Sequence, residues 1–307
     1  MMVVEKVSRN FFLFLSHNRL ISSGAKKWGL KFGASQVVAG VAIEEMIESL
    51  KELNQKGLVC TVDHLGEYVQ SKEEALESTA MAIQTLEAIA ASGVSSHMSV
   101  KLTQLGLDIN AEFCLENMKK IVRVAKKHDI FMRIDMEDYT RCQKTLDILA
   151  ELRKDYENIG TVIQAYLHRA EKDVDELQDL SLRLVKGAYK ERATVAYQEK
   201  EKVDENYFNI IKKHLLNGKY TAIASHDHHI IKKVKAFAKE NNIPKSQFEF
   251  QMLYGMRTEM QQSIADEGYT MRVYVPFGKD WYGYFMRRLA ERPQNVKFAL
   301  RGLFSNK

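Results

Sequence analysis

From residue 58 onward the chain alternates between two textures, and this alternation limits its fold more than any single motif. Short apolar runs rich in β-branched residues fall at 58–62 (LVCTV), 98–102 (MSVKL), 130–135 (IFMRID), 161–166 (TVIQAY), 182–187 (LRLVKG), 221–226 (TAIASH), 248–253 (FEFQML) and 271–275 (MRVYV). Between them lie longer stretches at helical spacing, such as EEALESTAMAIQTLEAIAAS and CLENMKKIVRVAKK. Continuous apolar strands alternating with amphipathic helices predict a parallel sheet covered by helices. Eight such units in about 250 residues predict a (β/α)8 barrel. The second reading is an open doubly wound sheet, but no GxGxxG follows any of the runs.

Residues 1–57 read as helices that pack on the barrel. They end in IEEMIESLKELNQKG, with Gly57 as the stop. The barrel then spans 58–307, and no Pro/Gly/Ser-rich linker separates the two parts. The most membrane-like stretch, FFLFL at 11–15, falls far short of the ~20 apolar residues of a spanning helix. Surface contact by an amphipathic amino-terminal helix stays open beside the reading of a helix packed on the body. The net charge of +5 is spread among interleaved charges of both signs, which excludes a dense nucleic-acid face. Cys60, Cys114 and Cys142 are odd in number and widely spaced. They predict neither a disulfide scaffold nor a CxxC metal site, and they fit a reducing cytoplasm as small buried apolar residues.

In a barrel the chemistry gathers at the carboxyl ends of the strands. Here those ends carry Lys101, then Asp135 and Met136, then Gln164 and Tyr166. Arg183 and Lys186-Gly187-Ala188-Tyr189 follow, then Ser225-His226-Asp227, Gln251 with Leu253, and Tyr274. Polar groups at buried strand ends are paired or functional, and nearly every strand has one at the same rim. The last helix adds Arg287 and Arg288, with Tyr284 one turn before them and Glu291 one turn after. An arginine fork held from one side by Glu291 suits a bidentate carboxylate guest. An ion-pair cluster on the helix surface is the alternative. Lys101 and Lys186 read as fixed positive charges or as Schiff-base lysines. Asp135 reads as an orienting group or as half of a salt bridge in the barrel mouth. SHDHH at 225–229 invites a metal, but adjacent strand residues point to opposite faces and no third ligand stands out, so no metal site is predicted.

Taken in order, VCTVDHLGE, SVKLTQLG, RIDMED, IQAY, RLVKGAY, ASHD, QMLYGM, RVYVPFG and YFMRRLAERPQN resemble the proline dehydrogenase family over residues 58–303. The resemblance implies a distorted (β/α)8 barrel, with amino-terminal helices and a final helix over its mouth, that holds FAD non-covalently. It implies oxidation of L-proline to Δ1-pyrroline-5-carboxylate, with electrons passed to a quinone or similar acceptor. Carried over by motif, Arg287, Arg288 and Lys101 resemble the group that grips the proline carboxylate. Tyr274 and Leu253 resemble residues packed on the proline ring, and Asp135 and Arg183 correspond to active-site positions. Met136, Gln164, Lys186, Gly187, Ala188, Ser225 and His226 resemble flavin contacts, with Tyr189 beside the isoalloxazine.

The chain departs from the pattern in two places. It has Ala-Ser-His-Asp where many relatives have Ala-Thr-His-Asn, and Glu-Arg-Pro where larger relatives have Glu-Asn. The second departure points to the stand-alone branch, whose product passes to a separate pyrroline-5-carboxylate dehydrogenase. A cytoplasmic location is expected, with peripheral contact at the inner face of the membrane open. Two other classes remain for comparison: a Schiff-base barrel lyase acting on a small acid, and a non-catalytic barrel that binds an anion.

Overall fold

The structure, a computed structural model, describes residues 34–66 and 68–291, with side chains as far as Met286. Eight parallel strands close into a barrel in chain order, and β1 pairs with β8. They are β1 (Val59–His64), β2 (Ser96–Val100), β3 (Met132–Ile134), β4 (Ile159–Gln164), β5 (Ser181–Val185), β6 (Tyr220–Ala224), β7 (Phe248–Leu253) and β8 (Thr270–Phe277). Each expected run overlaps one strand. Several strands stop sooner than their apolar runs, so Lys101, Asp135, Lys186, Ser225 and His226 begin loops rather than end strands. Asp135, Lys186 and Ser225 still bond through their backbones to the neighbouring strand or its extension, so they stay fixed at the carboxyl rim.

Helix α1 (Ile43–Gln55) precedes the barrel, and its Met46, Ile47 and Leu50 join the same core as the strands. The helices that follow are α2 (Lys72–Ser92), α3 (Ala111–Lys127), α4 (Tyr139–Arg153), α5 (Ala170–Glu176), α6 (Lys200–Asn217), α7 (His228–Glu240), α8 (Thr258–Asp266) and α9 (Trp281–Glu291). Their starts are written locally. The Ser71 hydroxyl accepts from the Glu74 amide and the Asn110 side chain from the Phe113 amide, each occupying one otherwise unpaired amide of a first turn. Asp138 and Asp227 do the same for α4 and α7 immediately above β3 and β6. Those two helices therefore begin at the rim.

The main apolar core lies between strands and helices. Val62, Ile134, Leu182, Leu184, Phe250, Val273 and Val275 face outward into it. The inside of the barrel differs from the expectation of continuous apolar strands. Arg183 on β5 reaches Ser99 on β2, and neither strand neighbours the other, so the bond crosses the barrel interior. Strands β5 and β8 thus alternate, with Leu182, Leu184, Met271, Val273 and Val275 outside and Arg183, Arg272 and Tyr274 inside. The period of two survives because the inner face is polar rather than filled by branched aliphatics. Helix α9 packs Trp281, Tyr282, Tyr284 and Phe285 with Ala34, Val38 and Leu65. Leu65 follows β1 directly, so this helix stands at the carboxyl rim.

Candidate active site

The centre of the mouth is a connected set of charges. The Arg183 guanidinium donates through Nη1 to Asp135 Oδ1 at 2.6 Å, through Nε to Gln251 Oε1 at 2.6 Å and through Nη2 to Ser99 Oγ at 3.0 Å. It lies over the Tyr274 ring at 5.2 Å from the centroid. The Tyr274 hydroxyl donates to the other oxygen of Asp135, Oδ2, at 2.7 Å. Asp135 is therefore both a salt-bridge partner and a hydrogen-bond acceptor, and its carboxylate is fixed from two sides. Burial and the adjacent Asp135 push the Tyr274 phenol well above its usual range, so it stays a donor at any ordinary pH.

One layer further out, Lys101 donates to Asp63 Oδ2 at 2.7 Å and lies 3.8 Å from Asp135 Oδ2. Asp63 is 1% exposed, and its Oδ1 is buried with no hydrogen-bond donor on it. Burial raises the Asp63 carboxyl above its ordinary range, against the pull of the Lys101 charge. An ammonium shared by two carboxylates is a poor amine nucleophile, which disfavours the Schiff-base reading of Lys101.

Counting the floor of the barrel as well, the described interior holds Lys101, Arg133, Arg183 and Arg272 against Asp63, Asp135 and Glu249. At the mouth the charges balance, Lys101 and Arg183 against Asp63 and Asp135, while Arg133 at the floor is spent on the Thr161 and Ser181 carbonyls.

A second group of residues lines the rim over β4 to β6. Gln164 donates to the Met136 carbonyl at 3.4 Å, while its Oε1 is buried with no donor. Lys186 bridges Asp204 at 2.5 Å and Asp227 at 3.1 Å. Gly187 has φ +114, and a Cβ there would stand 2.2 Å from the Tyr166 ring. Only glycine fits between that ring and the rim. Ala188 is exposed and Tyr189 is half-buried. The Ser225 hydroxyl accepts from the Asp227 amide at 3.1 Å, and His226 Nε2 accepts from the Leu253 amide at 3.0 Å. The SHDHH run is thereby used in a helix cap and a strand-end tie. Among the described residues no group of three or more His, Cys, Asp or Glu is placed to hold a metal ion.

The structure thus brings Lys101, Asp135, Arg183 and Tyr274 into one network. Arg183 and Tyr274 sit deeper than the rim position that the sequence suggested. Met136, Gln164, Lys186, Gly187, Ala188, Tyr189, Ser225 and His226 lie along the adjoining rim, and the His226 bond ties Leu253 to that side. Arg287, Arg288 and Glu291 belong to α9, but their side chains lie outside the described residues.

Asp63 and Ser99 join the network without having been singled out in the sequence. The first apolar run ends at 62, which cuts β1 short by two residues and hides Asp63. The alternation Thr61, Asp63 on one face of β1 was the available signal. Ser99 carries no charge and looks like a filler in MSVKL.

The proline dehydrogenase family profile matches residues 46–301. Proline dehydrogenase 2 of Bacillus subtilis (strain 168) is 54% identical over 97% of this chain and 99% of its own length. The proline dehydrogenase of Deinococcus radiodurans is 42% identical over 91% of each chain. Among solved structures, proline utilization A of Bdellovibrio bacteriovorus, inactivated by N-propargylglycine, superposes with a TM-score of 0.83 at 28% identity. That match covers 98% of this chain and 38% of the larger protein.

Proposed function

The chain belongs to the proline dehydrogenase family, and from that premise we infer that it oxidises L-proline to Δ1-pyrroline-5-carboxylate, the opening step of proline catabolism. The observation that carries this reading is the mouth itself. Lys101, Asp135, Arg183 and Tyr274 converge there in a buried, hydrogen-bonded network in which Lys101 and Arg183 stand against Asp63 and Asp135. A small amphoteric acid meets in it a cation for its carboxylate and a rigid wall for its ring.

The family is flavin-dependent, and the residues along the rim fit FAD held without a covalent bond. The orphaned Gln164 Oε1 is an acceptor for an imide N–H, which an isoalloxazine carries. Lys186 offers a cation to a diphosphate, and Ser225, His226 and the exposed backbone of Gly187 and Ala188 offer polar contacts beside it. Met136 and Tyr189 supply apolar surface for the ring system. Bound there, the flavin would take up the two electrons and the hydrogen that leave the substrate's ring carbon, and the ring nitrogen would release a proton.

The protein's own part is positioning. Lys101, with Arg287 and Arg288, grips the carboxylate, and Tyr274 and Leu253 bound the ring, so that the reacting carbon faces one direction only. Asp135 and Arg183 keep Tyr274 in place, one at its hydroxyl and the other over its ring face. Glu291 supports the arginine pair from the next turn.

Reoxidation by a quinone or similar acceptor belongs to the same proposal. So do release of the product to a separate pyrroline-5-carboxylate dehydrogenase and a cytoplasmic location with peripheral contact at the membrane's inner face. No described helix is long and apolar enough to cross a membrane.

The deciding experiment is the visible spectrum of the purified protein before and after anaerobic L-proline. A flavin band that proline bleaches is expected; no band even after reconstitution with FAD overturns the reading. With that band present, Arg288→Lys keeps its flavin but raises the proline KM by about tenfold, because an ammonium cannot replace a bidentate fork. Unchanged steady-state kinetics in that variant would remove Arg288 from the carboxylate grip.

A further inference from the structure

Asp63 is buried at the end of β1, and none of the roles above includes it. Its Oδ2 accepts from Lys101 at 2.7 Å, and its Oδ1 is sealed from solvent with no donor on it. A half-satisfied buried carboxylate is costly, and such groups in folded proteins ask for an explanation. Lys101 is the residue directly after β2, and Asp63 pairs in register with Ser99 across the β1–β2 ladder. The acid is therefore fixed by the sheet, while the lysine reaches it on a flexible stem.

We propose that Asp63 is a positioning residue: it holds the Lys101 ammonium at the one point of the mouth from which it meets the substrate's carboxylate. The proposal rests on the proline reading of the site. Among the described residues an alternative anchor is Asp135, whose Oδ2 lies 3.8 Å from the ammonium and already accepts from Tyr274 at 2.7 Å. Without the Asp63 charge, Lys101 moves toward Asp135. There it competes with the Tyr274 hydroxyl and draws away from the carboxylate. Asp63 thus keeps two functions apart, with Lys101 on the carboxylate and Asp135 on Tyr274.

The test is a double-mutant cycle in the holoenzyme using Asp63→Asn and Lys101→Met. It is read by the proline KM, by kcat, and by the dissociation constant of cyclopentanecarboxylate as an unreactive ring acid, followed through the flavin spectrum. Asp63→Asn alone is expected to raise KM and the dissociation constant by about tenfold, with kcat moving much less. In the Lys101→Met background the same change should add less than about twofold, because the ammonium it positions is gone.

Equal effects of Asp63→Asn in both backgrounds would overturn the proposal, since a general structural role does not depend on Lys101. Wild-type or tighter binding in the single variant would overturn it too. The two readings fail separately. A wild-type flavin that L-proline leaves oxidised refutes the activity. Bleaching without coupling between the two residues refutes Asp63 alone.

Discussion

The barrel encloses two clusters of buried charge, one at its floor and one at its mouth, and they are built on opposite principles. At the floor, Glu249 receives Arg272 Nε at 2.8 Å, Arg272 Nη2 at 3.0 Å, Gln251 Nε2 at 2.5 Å and the Tyr220 hydroxyl at 3.0 Å. Every carboxylate oxygen is engaged, and Arg272 Nη1 continues to the Cys60 carbonyl at 2.6 Å. At the mouth, Asp63 keeps one oxygen bare and shares Lys101 with Asp135.

The titration of the two acids follows this geometry. Burial works to raise both. At Glu249 the Arg272 charge and the converging donors overcome it and hold the carboxyl at about 2, whereas at Asp63 burial wins and the carboxyl is raised. A saturated ion pair is scaffold. An unsaturated one is kept where something else must bind.

The sharpest way to break this contrast is to remove the floor's cation. Arg272→Met leaves Glu249 buried and uncompensated, which costs about 3–5 kcal/mol of stability. Chemical denaturation of the holoenzyme measures it. A loss below about 1 kcal/mol would mean that the floor is no more structural than an exposed pair.

Acid sensitivity separates the clusters next. Glu249 titrates at about 2 in the fold against an ordinary 4.5, so its depressed value stabilises the protein above the unfolded value. That stabilisation, on the order of 3 kcal/mol, is lost as pH falls from about 4.5 toward 2. The matching loss should vanish from the pH–stability curve of Glu249→Gln. A wild-type acid limb in that variant would assign the loss to other carboxylates.

These two clusters also explain what the sequence could and could not disclose. The strand–helix alternation made the barrel legible, because a period of two and a period of 3.6 produce different apolar spacing. The rim was legible because Lys101, Asp135 and Lys186 are charged residues next to apolar runs. The floor was not. Arg133 sits inside RIDMED and Arg272 inside RVYVPFG, where a single charge in an apolar run looks like a solvent-facing residue of an edge strand. Only barrel closure turns that face inward and sets Arg272 against Glu249. Asp63 was hidden by a boundary error of two residues, the least certain part of any strand assignment. Ser99 carries no charge to mark it, and its bond to Arg183 exists only because the closed barrel sets β5 across from β2.

A milder perturbation acts at the mouth. Tyr274→Phe keeps the ring under Arg183 but removes the 2.7 Å bond to Asp135. A hydrogen bond to a charged group is worth about 1.5–3 kcal/mol. Part of that appears here as a loss in kcat/KM of about tenfold, with stability changed by less than about 1 kcal/mol, since Arg183 still holds Asp135. A stability loss as large as that of Arg272→Met would place Tyr274 with the scaffold.

The smallest effect carries the contrast furthest, because its sign is reversed. The Asp63 carboxyl is raised in the fold, so its ionised form is held less well there than in the unfolded chain. Above the folded-state value this charge works against folding, and the penalty fades as pH falls and the group takes up a proton. Asp63→Asn removes the charge while keeping the shape and one acceptor for Lys101. At neutral pH the variant should therefore melt at or slightly above the wild-type temperature, with the gap closing toward acid. The matching change at the floor, Glu249→Gln, should lower the melting temperature. If both substitutions destabilise alike at neutral pH, Asp63 is an ordinary structural ion pair. If they diverge, the mouth maintains a charge at the expense of stability, and the substrate's carboxylate is the reason to keep it.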